Sequence, residues 1–129
     1  MKAFLIDPVA ESITEVEYSG EYQDIYPLIG AETFDVVTLY PNDDSAFIDD
    51  EGLLKSPEFF WFHRNRRDPV AGCGLVLGVD GEGDSIAPTV SREQLAKDIV
   101  FANHDDVRAV LAIQEEISSV FRTIFEEVA

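Results

Sequence analysis

The sequence predicts an α+β fold: a mainly antiparallel β-sheet, a short helix after the first hairpin, and a long C-terminal helix packed on one face. Three observations carry that expectation. Short alternating or β-branched runs fill the first two thirds, separated by turns rich in Gly, Pro, Asn and Asp. The last part instead carries an apolar stripe at helical spacing. With 129 residues, 46% of them hydrophobic and 11% aromatic, the chain can bury the core of a single domain, 1–129.

Each element has a local reason. Residues 2–7 read as a strand, closed by the turn-forming Asp7-Pro8. Residues 13–18 alternate, with Thr14, Val16 and Tyr18 on one face, and complete a hairpin. Tyr22, Ile25, Tyr26 and Ile29 then recur at helical spacing before Gly30, a C-cap, while Pro27 keeps that helix short. Residues 34–39 and 46–49 are strands on either side of the turn at 41–45. Residues 59–62 and 74–79 are two more. Residues 85–90 form at most an edge segment, because Pro88 cannot donate within a central strand.

Ser91 and Gln94 have the spacing of a capping box, so a helix begins there. It gives way to a β-branched and aromatic strand at 99–101. From Asp105 onward, residues including Val107, Leu111, Val120, Phe121, Ile124 and Phe125 trace one helical face.

The segments KAFLIDP, ITEVEYSGEYQDIYPLIGAETFDVVTLY, AFIDDEGLLK and AGCGLVLGVDGEGD, in that order, resemble a family of short acidic proteins from phages, plasmids and bacterial genomes. It is catalogued as domain of unknown function 3846. The resemblance implies a family-like α+β core over 1–101, a C-terminal helix extension over 102–129, and a phage-like or plasmid-like context. It implies no catalytic residue.

Charge narrows the function classes. The chain has 26 Asp and Glu against nine Lys and Arg, a formal net charge of −17. Such a surface repels nucleic acid and anionic membranes, so neither is expected as a direct partner. The single cysteine, Cys73, rules out an intrachain disulfide and fits a reducing cytoplasm. The N-terminus has only a four-residue apolar run before Asp7, too short for a secretory signal.

No catalytic or cofactor signature stands out, and no cofactor is expected. Asp80, Glu82 and Asp84 have the every-other-residue spacing of a calcium loop, but Ser85 stands where the loop needs Gly. Their plainer role is a soluble hairpin turn. Cys73, at the start of an apolar strand, reads as a small buried hydrophobe.

The most unusual stretch is EFFWFHRNRRDP, residues 58–69, where four aromatics run into three of the nine basic residues. A strand there is apolar on both faces, and Trp and Arg are enriched where protein surfaces meet. Trp61, Phe62, Arg64, Arg66 and Arg67 are therefore expected to form an interaction surface for a protein partner or a second copy. Asp43, Asp44, Asp49, Asp50 and Glu51 are expected as the opposing acidic rim. The alternative is a DNA-mimic inhibitor whose acidic rim occupies a nucleic-acid-binding protein. A third reading is a small-ligand-binding domain or enzyme with a cleft beside Cys73 and His63.

Overall fold

The computed structural model describes residues 1–109. Strands β1 (Lys2–Asp7) and β2 (Ser12–Glu17) form the expected hairpin. A single 3-10 turn leads into helix α1 (Ile25–Ile29), which Gly30 closes. Pro27 falls in the first turn, where its missing N–H would have had no helical acceptor anyway. Strands β3 (Asp35–Thr38), β4 (Ser45–Ile48) and β5 (Phe59–His63) follow. Then come β6 (Val70–Ala71), β7 (Gly74–Val79), β8 (Ser85–Ile86), helix α2 (Arg92–Asp98) and β9 (Ile99–Asn103).

These strands make two antiparallel sheets. The larger has the order β2-β1-β7-β4-β3, with β8 paired to β7; the smaller has the order β6-β5-β9. Central β7 is apolar on both sides. Leu75 and Leu77 pack with Ala3, Tyr18, Ile25 and Ile29 beneath α1. Val76 faces the other way, into a core with Phe4, Ile6, Ile13, Leu39, Trp61, Leu95 and Ile99. The smaller sheet and α2 therefore cover the second face of the larger sheet.

This corrects the expected architecture. Among the described residues the protein is mainly antiparallel β-sheet with only short helices, and no long C-terminal helix covers the sheet. Residues 104–109 are helical, and Val107 packs against Phe60 and Ala71 on the outer face of the smaller sheet. The remainder of the expected helix lies outside the described residues. The physical reason is the path around β5. That strand pairs with β6 and, residue for residue, with the distant β9, rather than with β7. Gly72, at φ +83°, lets the chain leave one sheet and enter the other within two residues.

Candidate binding cleft

Alternation along β5 sets up everything around it. Trp61 and His63 point between the sheets, whereas Phe60 and Phe62 point to the outer face with Val107. Trp61 is 0% exposed and donates its indole N–H to the Gly72 carbonyl at 3.0 Å. It is a core residue, which corrects its expected place on an interaction surface. Phe62 is half-buried.

At the His63 end of β5 the sheets close on a polar network. Asp98 accepts from the Tyr40 hydroxyl at 2.7 Å, from Gln94 at 3.2 Å and from Arg64 at 3.4 Å. Burial alone would push the Asp98 carboxyl up, but these donors outweigh it and hold it below its ordinary value. Burial and the bond to Asp98 push the Tyr40 phenol well above its usual range. His63 packs edge-on against Tyr40, ring centres 4.8 Å apart, and its Nδ1 accepts from the Asn65 N–H at 3.1 Å. The neutral ring therefore carries its proton on Nε2, which is enclosed and meets no acceptor. Burial lowers the His63 pKa, and Arg64 and Arg66 lower it further against the pull of Asp98.

At the Phe59 end a cleft of about 1150 Å³ is lined by residues of both sheets. Its floor is apolar: Val37 and Ile48 from the larger sheet, Phe60, Val70 and Ala71 from the smaller, and Val107. Its walls carry Asp35, Asp49, Asp50, Glu58, Asp68 and Asp105, against Arg66, Arg108 and His104. One lip is the 3-10 turn Gly52–Leu54. Gly52 is needed at its base, because a Cβ there would sit 2.8 Å from the Ala71 carbonyl oxygen. The lip holds Leu53 at 60% and Leu54 at 83% exposure, beside the cleft-lining Phe59 at 41%.

The basic cluster is split by this geometry. Arg64 turns to Asp98 at the closed end, Arg66 lines the cleft, and Arg67 is exposed. Arg66 Nε is enclosed and has no hydrogen-bond partner. The expected acidic rim is split as well. Asp49 and Asp50 line the cleft, Asp49 paired with Lys55 at 2.6 Å and Asp50 accepting from Thr33. Asp43 and Glu51 are exposed. Asp44 is 1% exposed and accepts from the Thr89 and Val90 N–H groups at 3.0 and 2.8 Å. It is a structural clip, not part of a rim.

Cys73 packs in the cluster beneath α1, while His63 lies among the residues between the sheets, so the two do not meet. Burial, with help from Asp7, pushes the Cys73 thiol up to about 11, which leaves it unreactive near neutral pH. Among the described residues, no three His, Cys, Asp or Glu side chains gather closely enough to hold a metal ion. No described helix is long and apolar enough to cross a membrane.

Sequence reasoning missed Tyr40 and Asp98, and most of the cleft wall. Asp98 had a local signal: an acid in the last turn of a helix opposes the helix dipole unless a partner holds it there.

A family model described as a domain of unknown function matches residues 1–99. The chain belongs to the DUF3846 family. The matched span runs from β1 through α2 and stops at the first residue of β9. The side of the cleft built by 103–108 thus lies beyond the family's matched span. None of the curated proteins and none of the solved structures compared matches the chain.

Proposed function

We propose that the chain is a non-catalytic protein-binding module whose working surface is the cleft at the Phe59 end and its lip. The observation that carries this reading is the exposed trio Leu53, Leu54 and Phe59 at the mouth of a cleft with an apolar floor. Exposed apolar side chains grouped at a concavity and rimmed by charge are the usual makings of a docking site. A duplex mimic would need carboxylates in regular rows along a convex face. The six that meet here line a concavity, which supports docking over mimicry.

The test is a photo-crosslinking side chain placed at Leu54, with Glu15 on the opposite edge of the larger sheet as control. A partner crosslinked from Leu54 alone is then purified and titrated against the wild type and a Leu53→Ala/Leu54→Ala variant. The reading expects the double variant to bind about tenfold more weakly, a loss of about 1.4 kcal/mol. Equal affinity of both proteins, or crosslinks only from Glu15, would overturn it. A partner that proves to be a second copy of the chain makes the module self-associating, which sedimentation velocity reads directly.

A further inference from the structure

We infer that the cleft's occupant is an extended segment of a partner protein that carries arginine or lysine beside an apolar residue. This rests on the docking reading above and gives it a chemistry. Among the described residues the cleft sets six carboxylates against two arginines and a histidine, a balance that favours a cation. Those carboxylates are strung along the walls rather than gathered on one point, which suits charges spaced along a chain. The apolar floor and the leucine lip suit the apolar side chains between such charges.

The apolar floor and the leucine lip distinguish a peptide from a simple polycation. An extended peptide presents apolar side chains between its cationic ones. A polyamine such as spermine presents cations on a plain methylene chain.

The probes are short capped peptides alternating Leu with Arg or Leu with Glu, and spermine, each titrated into the full-length protein. The Leu-Arg peptide is expected to bind about tenfold tighter than the Leu-Glu peptide, and to weaken as salt rises. A variant with Asp35→Asn, Glu58→Gln and Asp68→Asn is expected to lose about fivefold for the Leu-Arg peptide. A control variant with Glu11→Gln and Glu15→Gln, on the far edge of the larger sheet, is expected to lose less than about twofold. Leu53→Ala/Leu54→Ala is expected to weaken the Leu-Arg peptide and leave spermine unchanged.

Equal losses in the cleft and far-edge variants would mean diffuse attraction to an acidic surface and would overturn the inference. So would an equal effect of Leu53→Ala/Leu54→Ala on peptide and spermine. If the Leu-Glu peptide is the tighter binder and the cleft variants alter it, docking stands and the charge assignment falls. If neither peptide responds to the cleft variants and Leu54 crosslinks nothing, both fall.

Discussion

At one end of β5 a single carboxylate is closed in and fully satisfied; at the other, several carboxylates face an open cleft. Beside His63, Asp98 accepts from Tyr40, Gln94 and Arg64. At the Phe59 end, carboxylates from separate segments wall a cavity floored by apolar side chains. The two enclosed atoms without a partner, His63 Nε2 and Arg66 Nε, lie close to each other, since the Arg66 N–H bonds the His63 carbonyl at 2.8 Å. Both can only lower stability, because both are shut off from solvent. One strand thus links a closed end that holds the fold together to an open end with unmet chemistry.

The sharpest way to break the comparison is to attack each end and read stability. Trp61→Ala, at the buried centre, is expected to cost about 3–5 kcal/mol, measured by urea unfolding. Asp98→Asn removes the charge that Tyr40, Gln94 and Arg64 address, and is expected to cost about 1.5–3 kcal/mol by the same measurement. At the open end, the triple amide variant of Asp35, Glu58 and Asp68 is expected to leave stability within about 0.5 kcal/mol. Arg66→Met is expected to leave it unchanged or slightly higher, since it removes an unsatisfied donor. Losses at the open end that match those at the closed end would erase the distinction.

A smaller effect sharpens it through pH. The folded pKa of His63 lies below the ordinary value of 6.5, so below about pH 6.5 the unfolded chain binds a proton that the folded chain refuses. Stability from this group is complete above 6.5 and is lost as pH falls from there through the folded pKa. Asp98, also depressed, holds its contribution until pH falls below the ordinary carboxylate value of 3.8. Urea midpoints at pH 7.5 and 5.5 should therefore fall in the wild type, and the fall should shrink in His63→Gln. An equal fall in both proteins would place the sensitivity elsewhere.

What was legible in the sequence was local. The hairpin of β1 and β2, the short helix before Gly30, and the helix start at Ser91 all stand where nearby residues put them. Ser91 accepts from the Gln94 N–H at 3.1 Å, a bond made within one turn. Gln94 does not return the bond; its amide goes instead to Asp98, completing a network with Tyr40 from the connection between β3 and β4. That half was invisible, because it depends on a contact 58 residues apart.

The site shows the same division. Alternation in β5 placed Trp61 and Phe62 on opposite faces, but not what covers each face. That was decided by pairing Phe59 with Asn103 and Trp61 with Phe101, far along the chain. Asp43 and Asp44 look equivalent in a turn. One is exposed and the other clips Thr89 and Val90, because the later segment passes over only one of them. Asp49, Asp50 and Arg66 were legible as charged loop residues. That they face one cavity with Glu58, Asp68 and Asp105 was not, since four separate segments converge there.

The most direct test of the central claim is an amide chemical-shift footprint of the full-length protein titrated with the Leu-Arg peptide. The account predicts shifts at Leu53, Phe59, Asp68 and Ala71, with Tyr40, His63 and Asp98 unmoved. Shifts centred on Tyr40, His63 and Asp98, or scattered evenly over the acidic surface, would contradict it.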